Sequence, residues 1–333
     1  KMAFRLIILF IIIAIVELYS FQVIKTVTKS KWILIVYAVI SVAAIVFITY
    51  ELMKFDRSVG QTKSTLITLG LLLLVLLPKL VLTFVLLLED VTRILIGTVT
   101  HFMGHNSDSF LPERRRFVSQ VAIGLAAVPF LSLIYGMTIG KYNYKVIRQT
   151  LFFPDLPDAF DGFKITQISD IHSGSFDDEN KIRYAIDLIN EQESDLLLFT
   201  GDIVNAKADE MHPWIDIFKG IKKHEYGKYS VLGNHDYGAY LDWKSEKAKA
   251  ENFVAIKDLH RQIDFKLMLN ENVKIKKGKD EIALIGVENW GKHFGEFGDI
   301  DKASENVTAT DFKILMSHDP SHWEYIVKRH PKN

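Results

Sequence analysis

Four apolar stretches crowd the first 140 of the 333 residues, and each is long enough to cross a bilayer as a helix. About 20 helical residues suffice for one crossing. The stretches run over residues 2–24, 32–50, 66–88 and 117–139. Trp32 and Tyr50 bracket the second, as aromatic residues do at membrane interfaces. A cleavable signal peptide accounts for one such stretch, never four. The formal charge sums to zero, yet residues 1–140 hold 13 Lys/Arg against seven Asp/Glu, and residues 141–333 hold 27 against 33. A basic, apolar part followed by an acidic, mixed part reads as a membrane domain joined to a second domain of ordinary globular composition. The acidic balance of the second part argues against nucleic acid as a partner, because neutralising phosphates needs a positive face. No cysteine occurs, which excludes disulfides, thiolate metal ligands and a cysteine nucleophile.

Several polar residues interrupt the apolar part. Glu17 and Lys79 fall inside the first and third stretches, where ionisable groups are costly and often mark a pathway or an intramembrane pair. The simpler expectation is that Glu17 reaches the headgroups and Lys79 snorkels beside a kink at Pro78. His101 and His105 have the i, i+4 spacing of a helical metal pair, but no carboxylate completes a set. An amphipathic interfacial helix over residues 91–103 accounts for them as well. Ahead of the fourth stretch stands Glu113-Arg114-Arg115-Arg116-Phe117, which resembles a twin-arginine export signal. Basic residues also flank spans on their cytoplasmic side, so both readings leave these arginines in the cytoplasm. The fourth stretch then carries the chain outward, and the expected location is a multi-pass protein of the cell membrane with its second domain extracytoplasmic.

Residues 141–162 look like a linker, since Pro154, Pro157, Asp158, Asp161 and Gly162 supply turn chemistry. From there a strand–helix rhythm begins. Short apolar strands are expected over residues 163–169, 195–200, 229–232 and 312–316, with a hairpin over 273–276 and 281–287. Ile182, Ala185, Ile186 and Ile189 fall on one helical face. Asp170, Asp202 and Asn234 lie 32 residues apart, about one strand–helix–strand unit, and each follows directly on a strand. Ligands of open α/β sheets bind beyond the carboxyl ends of strands, so these groups should converge there. Asp, His and Asn are hard or borderline donors suited to divalent metals. One Asp after a strand is ordinarily a cap; four such sites, two of them carrying histidines, are hard to attribute to capping.

Taken in order, Asp170-Ile171-His172, Gly201-Asp202, Gly233-Asn234-His235-Asp236 and Ser317-His318 resemble the ordered motifs of the calcineurin-like metallophosphoesterases, bacterial membrane-anchored branch. The resemblance covers roughly residues 156–330. It implies a four-layer α-β-β-α metallophosphoesterase sandwich (163–333), to which the apolar stretches and turn residues add an α-helical membrane domain of about four transmembrane helices (1–140) and a linker (141–162). It implies two divalent ions, manganese, iron or zinc, with Asp170 and His172 on the first, Asp202 bridging, and Asn234 and His318 on the second. His235 does not bind metal but faces the scissile phosphate as proton donor or charge stabiliser, and Asp236, counted with it as catalytic, stands one shell behind the ligands. Two ions roughly 3.5–4 Å apart clamp a phosphate and lower the pKa of water to about 7. The activity implied is metal-dependent hydrolysis of a phosphate ester or pyrophosphate, with the bilayer and a lipid-linked or envelope-derived phosphoester as partners.

The chain departs from the family pattern twice. Asn205 stands where many members have a second Asp, and is expected to orient His235 less strongly than a carboxylate would. No G-H-x-H occurs, which leaves the sandwich incomplete at its C-terminal end and points to a longer natural sequence, with His293 or His322 as substitute ligands otherwise. A membrane sensor or scaffold with a degenerate phosphoesterase domain is the alternative reading.

Overall fold

The computed structural model describes residues 2–103 and 112–330, so His105 lies outside the described residues. The chain divides into two compact units, residues 1–55 with 63–143, and residues 56–62 with 144–333.

The first unit is helical. It comprises α1 (Met2–Val27), α2 (Lys31–Met53), α3 (Lys63–Phe102) and α4 (Pro112–Thr138). Three of them, α2, α3 and α4, are each long and apolar enough to cross a membrane. Their exposed faces are lined with Ile, Val, Leu and Phe, as lipid-facing helices require. Val23, Leu82, Leu86, Ala122 and Ala126 pack α1, α3 and α4 together, and the two alanines allow close approach. The 40-residue α3 runs straight through Pro78 and past the expected interfacial segment, which is therefore the last turns of one helix rather than a separate element. His101 sits exposed in that last turn and belongs to no metal-ligating group among the described residues.

The two ionisable residues inside the apolar stretches meet. Lys79 Nζ donates to Glu17 Oε1 at 2.5 Å and to Ser41 Oγ at 2.5 Å, while Ser41 Oγ donates to Glu17 Oε2 at 2.6 Å. The expectation of a snorkelling lysine is overturned: Lys79 is 8% exposed, and a charged partner on α1 stabilises its ammonium better than a reach to distant headgroups. A second polar contact binds α3 to α4, where Arg115 pairs with Glu89 and Asp90. Arg114–Arg116 thus lie within the first turns of α4, and the middle arginine is engaged between helices.

The second unit carries two sheets. Strands β1 (Ile165–Ile168), β2 (Leu196–Phe199), β3 (Lys228–Ser230) and β4 (Lys266–Leu267) form a parallel sheet in that order. Strands β5 (Glu271–Lys277) and β6 (Asp280–Gly286) form the expected hairpin, turning at Gly278 with φ 61°. After a small ribbon of β7 (Trp290–Gly291) and β8 (Gly295–Glu296), β9 (Lys313–Met316) adds to β6 in parallel. Leu196, Leu198 and Val231 of the first sheet pack on Ile275, Ile282, Leu284 and Met316 of the second. The outer faces are covered by helices. On the first sheet, α5 (Glu179–Asn190) buries Ile182 and Ile186, the short α6 (Ile215–Phe218) follows, and α7 (Glu246–Gln262) stacks His260 on Phe199. On the second, Ala283 and Ile285 pack against α8 (Ile300–Ala303), with α9 (Ser321–Tyr325) after β9. All four residues of β2 are buried, as a strand covered on both faces must be. Residues 56–62, the connection from α2 to α3, belong to this unit: Lys207 Nζ donates to the carbonyls of Ser58 at 3.2 Å and Val59 at 2.9 Å.

The Glu17–Lys79 pair yields a prediction. Lys79→Met strands a carboxylate among apolar helices and should destabilise the detergent-solubilised protein by about 3–5 kcal/mol in thermal unfolding. Adding Glu17→Gln should recover part of that loss. Additive losses in the double variant would show that the two residues act independently.

Candidate metal centre

Every motif residue singled out in the sequence leaves the carboxyl end of a strand. Asp170 and His172 follow β1, Asp202 follows β2, Asn234–Asp236 follow β3, and His318 follows β9 of the other sheet. The loops after β1 and β2 stay in register beyond the strands: Asp170 N–H donates to the Gly201 carbonyl (3.0 Å), His172 to Asp202 (3.0 Å) and Ser173 to Ile203 (3.1 Å). Asp170, His172 and Asp202 all adopt positive φ (53°, 46° and 61°), a costly region for residues with a Cβ. Such strain clusters at functional sites, where the surrounding structure imposes it. Gly201 and Gly233 meet where these turns touch. A Cβ on Gly201 would strike the Gly233 backbone, and one on Gly233 would strike the Asp202 carboxylate. Both glycines are required by close approach, which explains why each precedes a motif residue.

The convergent groups form two overlapping clusters, His172–Asp202–His235 and Asp170–Asp202–His318, each with donor atoms within 4.8 Å of one another. Asp202 belongs to both. Its Oδ2 lies 3.4 Å from His172 Nε2 and 3.4 Å from His318 Nε2, while its Oδ1 accepts the His235 backbone N–H at 2.9 Å. Asn234 Oδ1 is 3.1 Å from His318 Nε2. His318 Nδ1 stands 2.8 Å from the Thr200 carbonyl, which can only accept, so Nδ1 carries the proton and Nε2 offers the lone pair in the neutral ring. This bond also joins the two sheets across the site. Burial opposes charge on His318, but the Asp202 carboxylate outweighs it and raises the imidazole to about 9. Burial likewise works against ionised Asp202, and His318 reverses this, holding the carboxyl below its ordinary value. Opposed carboxylate and imidazole donors thus converge on one point. Such a donor set fits divalent ions of the borderline class.

Three residues hold this arrangement in ways the sequence did not reveal. The fully buried Asp236 carboxylate stands behind the ligands and accepts three backbone N–H bonds, from Asp202, Ile203 and Gly233, each at 2.9 Å. It ties the loop after β2 to the loop after β3. Burial, then the charge of Asp202, pushes it up to about 7 against those donors. Asn205 orients His235 through its backbone carbonyl, 2.7 Å from Nδ1, and not through its side chain, whose amide donates to Ser175 Oγ at 3.1 Å. The loss of a carboxylate at that position therefore leaves the histidine anchored. Glu210 fixes the carbonyl in turn, accepting from the N–H groups of Asn205 (2.5 Å), Ala206 (3.2 Å) and Lys207 (3.0 Å). Its only sequence signal is an acidic residue three places after Lys207, too common to single out. His322 is fully buried with Nδ1 against Ser317 Oγ, and His293 is exposed; neither joins a cluster among the described residues.

Asp236→Asn replaces one acceptor oxygen by a donor. Each N–H left without a partner should cost about 1–3 kcal/mol. Thermal unfolding of the metal-free protein should therefore show a clear drop in Tm, and an unchanged Tm would show that the carboxylate does not tie the loops.

Comparison with known proteins agrees with this geometry. Residues 163–332 match the model of the calcineurin-like phosphoesterase family, and residues 4–141 match one described as "Probable Calcineurin-like phosphoesterase, transmembrane domain". The "Uncharacterized metallophosphoesterase YkuE" of Bacillus subtilis is 37% identical over 215 residues, 62% of this chain and 70% of that protein. A "Transmembrane protein with metallophosphoesterase domain" from Danio rerio is 22% identical over 205 residues, 60% of this chain and 44% of its own length. A Helicobacter pylori "Uncharacterized metallophosphoesterase" is 25% identical over 227 residues, 66% of this chain and 55% of that protein. The matched region thus spans less than half of the zebrafish relative and just over half of the Helicobacter one. With a helical membrane region ahead of a two-sheet domain whose strand ends gather the metal-ligating motifs, the chain belongs to the calcineurin-like phosphoesterase family.

Proposed function

We propose that this protein hydrolyses a phosphate ester or pyrophosphate at the membrane with the help of two divalent ions. The observation that carries the proposal is the sharing of Asp202 between both clusters of ligand atoms. A carboxylate has two oxygens and can serve two cations, whereas a capping aspartate needs no ring of histidines around it. Asp170, His172, Asp202, Asn234 and His318 would hold the ions, with manganese, iron and zinc suited to the donors. When bound, a pair of such ions supplies Lewis acidity and a nucleophile at neutral pH.

The chain's own groups do the rest. His235 is held by Nδ1 on the Asn205 carbonyl and by its backbone N–H on Asp202, so only Nε2 is open to a substrate. In the protonated ring that nitrogen donates, first to a phosphoryl oxygen and then to the departing oxygen. The rings of His172 and His235 meet edge to face at 4.7 Å, which sets the direction of Nε2. His235 is also within reach of the His172–Asp202 cluster, so its role is open to direct test.

Membrane helices on the same chain favour an acyl-chain-bearing or envelope-derived phosphoester, cleavage of a lipid-linked sugar nucleotide pyrophosphate being one example. The proposed side is extracytoplasmic, on the strength of the arginine run at the start of α4. Residues 141–162 serve as the linker.

In the full-length protein, Asp202→Asn should remove most bound manganese and abolish hydrolysis of a model diester together. His235→Asn should keep its manganese while turnover falls by about 10²–10⁴-fold. A metal-free His235 variant would make that residue a ligand and overturn its assignment as proton donor. For topology, protease added to intact spheroplasts should digest residues 144–333. Protection until the membrane is permeabilised would place the domain in the cytoplasm and its substrate on the inner leaflet.

A further inference from the structure

Beside the motif residues, one side chain outside any motif touches two of them. Tyr240 is 39% exposed, and its ring lies 4.4 Å from that of His235 at an angle of 32°. Its hydroxyl is 2.6 Å from Asn234 Nδ2. An amide nitrogen only donates, so the tyrosine oxygen accepts here. The consequence falls on the other end of the amide. Asparagine's oxygen and nitrogen have nearly the same shape, so partners at both ends set which faces a given direction; a phenol can bond either end, and this amide is fixed by Tyr240 and His318 together. With Nδ2 committed to Tyr240, Oδ1 points to His318 Nε2 at 3.1 Å, and only Oδ1 can ligate a cation. Turned the other way, the amide would aim two N–H donors at the cluster and repel one.

The loop that carries Tyr240 is secured on both sides. Gly238, at φ 61°, ends the turn after His235, and its carbonyl accepts from Trp243 Nε1 at 2.7 Å. On the far side Asp242 N–H donates to the Arg57 carbonyl at 3.3 Å, and Leu241 covers Gly60. Tyr240 is thus braced from the α2–α3 connection, a part of the chain remote from every motif. Among the described residues its O–H donates to no protein group, which leaves that proton free for the solvent-facing side of the cleft.

We infer that Tyr240 is a positioning residue of the metal centre, holding the Asn234 amide with its oxygen toward the ion shared with His318. The inference rests on the proposed metal site and adds a residue to it. Partners that orient a ligand are each worth about 10–100-fold in metal affinity. Tyr240→Phe keeps the ring against His235 and deletes only the acceptor.

The experiment is manganese titration of the full-length chain in detergent, followed by electron paramagnetic resonance, with thermal unfolding of each metal-free variant alongside. Tyr240→Phe should weaken manganese binding at least 10-fold with an unchanged metal-free Tm. Asn234→Ala should weaken it further, and the double variant should match Asn234→Ala alone, because Tyr240 acts only through that side chain. Wild-type affinity in Tyr240→Phe, or losses that add in the double variant, would overturn the positioning role while leaving the metal site standing. A wild-type chain that bound no manganese, iron or zinc would overturn both.

Discussion

The Asp202 carboxylate organises the edge of the second domain where the strand ends converge. It is 2% exposed, in a left-handed backbone conformation, at the end of a strand buried on both faces. Its negative charge is sustained by His318 and the His235 N–H, His172 Nε2 stands 3.4 Å away, and its own N–H is held by Asp236. A carboxylate so deeply placed is costly unless it is paired. The pairing recruits residues from the loops after three strands of one sheet and one strand of the other. That is why the two sheets must meet as they do: His318 reaches Asp202 only because β9 runs parallel to β6 and ends beside Thr200.

Around this charge the protein uses backbone groups more than side chains to hold geometry. Asp236 and Glu210 each gather N–H groups of consecutive loop residues, acting as fixed clamps on irregular chain. The Asn205 carbonyl, not a second carboxylate, anchors His235.

The helical unit follows the same logic in an apolar setting. Its helices have lipid-like exteriors and little besides packing to draw them together. The Lys79–Glu17–Ser41 contact joins α1, α2 and α3, and Arg115 with Glu89 and Asp90 joins α3 to α4. Each charge satisfies another that would otherwise be stranded, which makes the pairing of helices specific.

By itself the sequence determined the division into a membrane-spanning part and an α/β part, because apolar length and strand–helix rhythm are local properties. It also singled out the candidate ligands, since Asp170, Asp202 and Asn234 each follow a strand and so fall on the same edge of one sheet. Only the tertiary structure decided the partners. That Lys79 would find Glu17, that Asp236 would clamp three backbone N–H groups, and that Tyr240 would meet the Asn234 amide depend on residues brought together from different elements. Strand ends can be read from periodicity. Which hydrogen-bonding groups face one another across a site is set by how the loops cross, and no spacing along the chain records that.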